Sequence, residues 1–456
     1  MAQPAFDLPN AEGITRKLAE NGVGMRYDQL PADVVSIAKC CFIDWLGVTL
    51  AGAKEDLSRI LQDEAREEGA KEQASVVGGG FKTSLMQAAL LNGTASHALD
   101  YDDVNLLMVG HPTVPVVPGI LALAERDGGN GKDFITAFVA GVETEVRVAM
   151  LMGESHYVKG WHTTGTVGTF GAAAAAARMM GLDADACITA FGIAATQAAG
   201  LKSNFGTMCK PLHAGKAAAN GLYAALLARR GFTSNNEILE CSQGFGDTQS
   251  ASFSPDKALD GLGSSFVTRG ILFKYHAACY GTHASIEAAT LMREKHNLTP
   301  ERIEKIEVRV PESYQKMCNI QNPQTDLEAK FSLRFTTAMA LAGESTGKIS
   351  NYSPEMCNDP TVVYLRDRIK VVPESNWEHA NSEVIVSTND GVVLRQMADA
   401  SIPESDQERQ WFRVSTKFQE LAEPVIGKDR AEAVVEKVGR LEAQSTLREI
   451  ADLCRD

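Results

Sequence analysis

The stretch GTFGAAAAAARMM, residues 168–180, decides the fold because it contains six consecutive alanines at positions 172–177. Alanine is the best helix former, so the stretch predicts a helix. A helix surface of alanine and glycine lets neighbouring backbones approach closely. Gly181 follows at the position of a C-cap glycine, and Asp183 then begins the next helical segment. The pattern predicts a closely packed helix inside a larger helical domain.

Helical patterning continues on both sides of this stretch. Between residues 32 and 48, apolar side chains recur every three or four positions and form one face of a helix. Further helices are predicted over residues 84–98, 134–152, 184–199 and 214–230. Residues 100–118 contain a glycine and three prolines and are expected to be irregular. Residues 1–265 therefore predict an all-helical domain.

Alternating apolar and polar residues predict strands in the second half of the chain. Residues 303–311, IEKIEVRVP, alternate like a half-buried strand, and the runs on either side of the NDG turn at 389–391 predict a hairpin. Residues 266–400 are therefore predicted to form a smaller α+β domain. Residues 401–456 return to helical patterning and are expected to rejoin the first domain. The predicted fold is mainly α, with an α+β insertion.

Charge restricts the classes of partner. The chain of 456 residues has 44 basic and 58 acidic side chains, so its net charge is 44 − 58 = −14. The lysines and arginines are scattered, so the basic patch that nucleic acids require is missing, and an acidic surface also disfavours an anionic membrane. A small anionic substrate is still compatible with this charge, because a few cations inside a pocket dominate at short range.

Apolar runs and cysteine spacing bear on location and metals. The first residues lack the pattern of a secretory signal, and the longest apolar stretch, 104–124, contains three prolines that disfavour a membrane-spanning helix. The nine cysteines include no CxxC pair, so neither a zinc ribbon nor an iron–sulfur cluster is predicted. We expect a cytoplasmic protein without a metal.

The first polar cluster begins at His97 and combines three carboxylates, Asp100, Asp102 and Asp103, with His111 and Pro112. Carboxylates this close repel one another unless cations or shared protons compensate them. Pro112 restricts the backbone of His111 to an extended or turn geometry. The cluster is either a solvated helix end or part of a site.

The second cluster places His162 immediately before the alanine-rich helix. The positive end of the helix dipole lowers the pKa of a histidine there and favours the neutral imidazole, which can act as a base. The alternative is a histidine that only caps the helix and packs.

Two further clusters combine cations with histidine. Lys210, His213 and Lys216 lie within seven residues, which predicts either an anion site or an exposed loop. The segment 274–283 carries Lys274, Cys279 and His283 at the start of the second domain, and clefts are common at domain junctions. A cysteine–histidine metal pair would need two more ligands, so a buried thiol and a packed histidine are the alternative.

Five motifs, in this order, resemble those of the MmgE/PrpD family: Asp100-Tyr101-Asp102-Asp103 with His111-Pro112, Gly160-Trp161-His162, Lys210-Pro211-Leu212-His213-Ala214-Gly215, Thr282-His283 and Ala329-Lys330-Phe331-Ser332-Leu333. The family includes 2-methylcitrate dehydratase, cis-aconitate decarboxylase and iminodisuccinate epimerase. The resemblance covers nearly the whole chain. It implies a large helical domain built from both chain ends, an inserted α+β lid and a homodimer. It also implies chemistry on a small polycarboxylic acid without a metal or an organic cofactor.

The resemblance also implies the site residues. Those that look like the active site of cis-aconitate decarboxylase, and are expected to be catalytic, are Asp100, His111, His162 and Lys210. Substrate-binding residues are expected at Asp102, Asp103, His213, Lys274, Cys279, His283, Lys330 and Ser332. Two positions depart from the decarboxylase, since Cys279 stands where it has histidine and Phe335 where it has tyrosine. The run after His111-Pro112 departs from 2-methylcitrate dehydratase, because Thr113-Val114-Pro115 replaces its Ser-Asp-Asn.

These residues predict a lyase, foremost a dehydratase, that removes a proton from the carbon next to a carboxylate. His162 is the expected base, Lys210 stabilises the developing negative charge, and His111 or Asp100 protonates the leaving hydroxyl. Which of His111, His162 and Lys210 is base or acid stays open. The alternatives are an epimerase with two bases on opposite faces of one carbon, a decarboxylase, and an inactive binding protein.

Overall fold

The chain divides into two compact units in a computed structural model that describes residues 11–377 and 380–455. The divisions fall after Phe273 and after Glu404. The first unit thus combines the segments on both sides of the second. The sequence placed the divisions after residues 265 and 400, and the structure places them eight and four residues later.

Helices make up most of the first unit. They are α1 (Ile14–Gly24), α2 (Ala32–Gly52), α3 (Asp56–Glu68), α4 (Leu85–His97), α5 (Thr113–Asp127), α6 (Gly131–Lys159), α7 (Thr163–Met179), α8 (Ala184–Ala195), α9 (Cys209–Ala228), α10 (Phe245–Gln249) and α11 (Pro255–Leu259). Two-residue strands form two antiparallel pairs, β1 (Ala74–Ser75) with β2 (Lys82–Thr83) and β3 (Val104–Asn105) with β4 (Ile271–Leu272).

Helix α7 contains the alanine run and packs against α5, α6, α8 and α9. All six of its alanines are buried, as the sequence predicts. The nearby helices α4 and α9 also approach closely: a Cβ atom added to Gly93 would lie 2.9 Å from the Cα of Gly215. Small residues therefore hold this part of the helical unit together.

Helix α5 begins inside the segment 100–118, so the prediction of irregular structure up to residue 118 is wrong. Pro115 lies in the first turn, where a backbone N–H has no helical partner to lose. Pro118 lies further inside and removes one helical hydrogen bond. Residues 113–125 are all buried, and this apolar packing compensates for the lost bond.

The second unit combines a four-stranded sheet with helices. The strands are β5 (Ile303–Pro311), β6 (Ile369–Glu374), β7 (Asn381–Thr388) and β8 (Val393–Asp399), in the order β6-β5-β7-β8. The helices are α12 (His283–His296), α13 (Glu312–Met317), α14 (Asp326–Lys330), α15 (Leu333–Ala342), α16 (Pro354–Cys357) and α17 (Pro360–Arg366). Strand β5 runs parallel to β6 and antiparallel to β7, and the predicted hairpin joins β7 to β8.

The chain returns to the first unit with α18 (Gln407–Ile426), α19 (Lys428–Gly439) and α20 (Arg448–Leu453). Helix α18 packs on α2. Among the described residues, α2 is the one helix whose length and composition would suit a membrane span, but 78% of its apolar window is buried inside the protein. This burial is typical of a core helix.

Candidate active site

The candidate site lies in the first unit, where α4 ends and α5, α7 and α9 begin. Helix α4 ends at His97, His111 comes just before α5, His162 is the N-cap residue of α7, and Lys210 lies in the first turn of α9. The ring of His97 lies 4.4 Å from that of His111 and 6.0 Å from that of His162, measured between centroids. The Nζ atom of Lys210 lies 3.0 Å from Oδ1 of Asp100. The structure therefore brings the first three predicted clusters together.

The first turn of α7 holds the backbone on one side of the site. Thr163 Oγ1 donates a hydrogen bond to the carbonyl of Val109 (2.7 Å), and Thr164 Oγ1 accepts one from the backbone N–H of His111 (3.1 Å). Asp100 and Val109 have positive φ angles of 50° and 51°. This conformation is costly for residues other than glycine and is often found at functional sites.

Asp102 lies between two imidazoles. Its carboxylate oxygens lie 2.9 and 3.0 Å from Nδ1 of His97, and one of them lies 2.8 Å from Nδ1 of His111. Burial alone would raise the pKa of Asp102, but the imidazoles of His111 and His97 hold it well below its ordinary value. The carboxylate accepts a hydrogen bond from Nδ1 of His97, so His97 presents a lone pair at Nε2, whereas the contact with His111 is a close electrostatic one.

His97 begins the first polar cluster, but no role in the site was predicted for it from the sequence. It is 1% exposed, and its Nε2 atom has no hydrogen-bond partner among residues 11–377 and 380–455. Burial lowers the pKa of His97 to about 4, although the charge of Asp102 opposes the shift. The ring is therefore neutral at physiological pH, with an available acceptor atom. The available signal was its position, three residues before the run of carboxylates.

His162 is a neutral, buried imidazole, as the predicted base requires. Its Nδ1 atom lies 3.0 Å from Nδ1 of His213, and the ring of Phe205 packs edge-on against it at 4.9 Å. Burial, followed by the neighbouring His97, His111 and Lys210, strongly lowers the pKa of His162. No hydrogen bond occupies its Nε2 atom within the described residues, so this nitrogen can approach a substrate.

Lys210 provides a positive charge at the less buried end of the cluster. The Oδ1 atom of Asp100 lies between Nζ of Lys210 (3.0 Å) and Nε2 of His111 (3.5 Å), and the side chain of Asp100 is 55% exposed. A lysine in the first turn of a helix is opposed by the positive end of the dipole. Its placement there favours a role in binding anions over one in stability.

Asp103 faces a second buried network. It accepts hydrogen bonds from the backbone and the hydroxyl of Thr113, the first residue of α5. Burial, and then the charge of Asp44, raise the pKa of Asp103 to about 7. Lys417 from α18 pairs with Asp44 (2.6 Å) and donates to the carbonyl of Tyr101 (2.7 Å). These contacts give Asp103 an anchoring role, and its role in substrate binding stays a prediction.

The remaining predicted residues, Lys274, Cys279, His283, Lys330 and Ser332, belong to the second unit. Lys274 is buried, and the backbone N–H of Cys279 donates to the carbonyl of Lys330 (2.9 Å). His283 donates through Nε2 to the carbonyl of Ala278 (3.2 Å), and Ser332 caps α15. Their contribution to substrate binding stays a prediction.

Four side chains offer a possible set of metal ligands. Within the described part of the chain, His97, Asp100, Asp102 and His111 place ligand atoms within 4.8 Å of one another. Asp102 already contacts both imidazoles, and Lys210 places a positive charge 3.0 Å from Asp100. A divalent cation here would have to displace these contacts and tolerate the lysine.

We expect dialysis against EDTA to leave turnover unchanged, because Lys210 and the imidazoles already compensate the carboxylates. Activity and metal content of the same sample, measured before and after dialysis, check this. Activity that is lost with the metal and restored by one equivalent of a divalent cation would contradict it.

We expect Asp102→Asn to lower kcat by about 10- to 100-fold. An amide carries no negative charge, so it cannot compensate a proton on His97 or His111, and its NH2 group donates where the second carboxylate oxygen accepted. Steady-state kinetics measure the effect. Asp103→Asn is the matched control, since Asp103 contacts neither imidazole and its raised pKa makes the uncharged form similar to the native one. Equal losses in the two variants would argue against the orienting role of Asp102.

Comparisons with known proteins agree with the motifs. Residues 16–258 match the MmgE/PrpD N-terminal domain, and residues 276–442 match the MmgE/PrpD C-terminal domain. The chain is 28% identical to cis-aconitate decarboxylase of Mus musculus over 450 residues, which cover 94% of this chain and 91% of that protein. It is 28% identical to the Homo sapiens enzyme, with 94% and 92% coverage. Identity to a cis-aconitate decarboxylase-like protein of Aspergillus oryzae is 26%, with 96% and 97% coverage.

Proposed function

Because the chain belongs to the MmgE/PrpD family, we propose that it is a lyase that acts on a small polycarboxylic acid. The reaction begins with removal of a proton from the carbon next to a carboxylate, and the favoured outcome is loss of water. The observation that carries this proposal is the neutral His162 imidazole beside Lys210, in a site where Asp102 orients two more imidazoles.

Lys210 has the charge and position to bind the substrate carboxylate next to the reacting carbon. Its present partner, Asp100, is the most exposed member of the cluster, so an incoming carboxylate competes for the same ammonium group. The charge that develops on the carboxylate as the proton leaves is delocalised as an enediolate. A cation aimed at this charge in a water-poor site stabilises the transition state more than the ground state.

His162 receives the proton at Nε2, and a second group protonates the departing hydroxyl. His111 is suited to this second step, because Asp102 at its Nδ1 atom stabilises a protonated imidazole. The different neighbours of the two histidines explain their different roles. The carboxylate of Asp102 lies beside His111 and suits it to be the acid, whereas the neutral ring of His213 lies beside His162 and suits it to be the base. These roles are the dehydratase mechanism that we propose.

Decarboxylation is the second candidate, because full-length relatives carry the name cis-aconitate decarboxylase. Such a reaction breaks a carbon–carbon bond and needs the same stabilisation of negative charge beside a carboxylate. It does not begin with removal of a proton from carbon, which separates the two reactions experimentally.

A screen of small polycarboxylic and hydroxy acids in D2O, followed by NMR, tests the proposal. Elimination produces alkene signals, decarboxylation removes a carbon, and epimerisation exchanges the proton with inversion. The proposal predicts alkene formation from at least one acid. Inversion without alkene formation would favour an epimerase, and no turnover of any acid by a folded protein would contradict the proposed function.

A further inference from the structure

The contact between His162 and His213 involves one hydrogen atom shared by two nitrogens. Their Nδ1 atoms lie 3.0 Å apart, so one ring donates and the other accepts. If His162 presents a lone pair to the substrate at Nε2, its own proton is on Nδ1. His213 is then the acceptor at Nδ1 and carries its proton on Nε2.

The backbone at Gly200 allows the rings of His162 and His213 to lie close together. Gly200 has a φ of 146°, and an added Cβ would lie 3.2 Å from Cγ of His213 and 3.5 Å from Cβ of His162. The carbonyl of Gly200 accepts the backbone N–H of His162 (2.9 Å). A larger residue at position 200 would push the rings of His162 and His213 apart. The close approach of the two rings and the positive φ therefore both favour glycine at this position.

His162 is poorly placed to keep a proton taken from a substrate. The groups that face it are the rings of His97, His111 and His213 and the ammonium of Lys210, and none of them is an anion. Burial also removes the water that would solvate an imidazolium. His213 is only half-buried, so the same charge costs less there, even though Lys210 is one helical turn away.

We propose that His213 is a proton relay that carries the substrate proton from His162 to solvent. As the C–H bond breaks, its electron pair stays on the substrate and the proton binds Nε2 of His162. The Nδ1 proton of His162 passes to Nδ1 of His213, and the Nε2 proton of His213 leaves to water. Both rings end neutral, in the opposite tautomers.

The starting tautomers return after the product leaves. The Nε2 proton of His162 passes through water to His111 and replaces the proton that His111 gave to the departing hydroxyl. A solvent proton binds Nε2 of His213, and the proton between the two rings returns to Nδ1 of His162. The relay thus lets a buried base act without storing charge. It rests on the proposed function, because it assigns His162 as the base. His213 acts through His162 and is a positioning and relay residue, in contrast to its predicted role in substrate binding.

Three forms of the full-length protein test the relay: wild type, His213→Ala and His213→Asn. With the substrate from the NMR screen, we expect alanine to lower kcat by about 100-fold. Added imidazole should raise the kcat of the His213→Ala variant at least tenfold, because it can accept and release protons in the space that the side chain leaves. Asparagine can hydrogen-bond to His162 but cannot relay a proton, so His213→Asn should stay as slow as the alanine variant. Wild-type activity in His213→Asn, or no loss in His213→Ala, would overturn the relay.

The ring ¹⁵N shifts of His162 test the pairing without turnover. They distinguish a proton on Nδ1 from one on Nε2, and His162→Gln assigns the signals. We expect the Nδ1–H form in wild type and a mixture of tautomers in His213→Ala. Unchanged shifts in His213→Ala would overturn the relay even if no substrate is turned over, whereas absent turnover with the expected shifts would count against the proposed function alone.

Discussion

His162→Ala should lower kcat by two to four orders of magnitude, which is about the contribution of a general base. The variant keeps Lys210 and the Asp102-bound imidazoles, so the substrate still binds and KM should change little. Among the neighbouring imidazoles, the ring centroids of His213 and His97 lie 5.3 Å and 6.0 Å from that of His162, so neither can take over the base position without movement. Steady-state kinetics on the substrate from the NMR screen measure the loss.

His156→Gln is the matched control for this variant. His156 is also buried, and burial lowers its pKa to about 4, but its ring nitrogens contact Thr166 (2.8 Å) and the carbonyl of Gln249 (3.1 Å) outside the site. We expect a lower melting temperature and less than a tenfold change in kcat. A wild-type kcat in His162→Ala would remove His162 as the base.

Lys210→Met should lower kcat by about 100- to 1000-fold, the usual loss when one group that stabilises a developing oxyanion is removed. Methionine fills a similar volume without the charge, so the effect is electrostatic. KM should also rise, because the ammonium group binds the substrate carboxylate in the ground state. Loss of the lysine also removes a positive charge that lies 3.0 Å from Asp100, which adds repulsion toward an anionic substrate.

Lys216→Met controls for the loss of a positive charge from the same helix. Lys216 lies on α9 six residues after Lys210 and is exposed, so its substitution should leave kcat within about twofold of the wild-type value. Lys210→Arg should retain part of the activity, since it keeps the charge but changes its geometry. Similar losses in Lys210→Met and Lys216→Met would show that net charge, not a specific contact, is responsible.

The helical unit was predictable because its signals are local. The alanine run predicts α7, and the alternation of apolar and polar residues predicts β5 with both ends correct. The start of α5 was not predictable from the sequence. Proline is tolerated in the first turn of a helix, and at Pro118 the buried environment outweighs the cost of the lost hydrogen bond. Such compensation depends on tertiary packing, which no local pattern contains.

The site was predictable as a set of motifs but not as a set of partners. His111, His162 and Lys210 meet as the motifs suggested, whereas the sharing of Asp102 by His97 and His111 depends on how a helix end and an irregular segment fold against each other. The pairing of His162 with His213 joins residues 51 positions apart. The homodimer and the cytoplasmic location stay predictions.

A substrate deuterated at the carbon next to its carboxylate reports the first step of the reaction directly. The hydroxy acid found in the screen is labelled at that carbon and turned over in ordinary water, and NMR follows the label and the alkene together. The proposed chemistry predicts that one deuteron reaches the solvent for each alkene formed. Label that is retained in a product that has lost carbon dioxide would contradict proton removal as the first step.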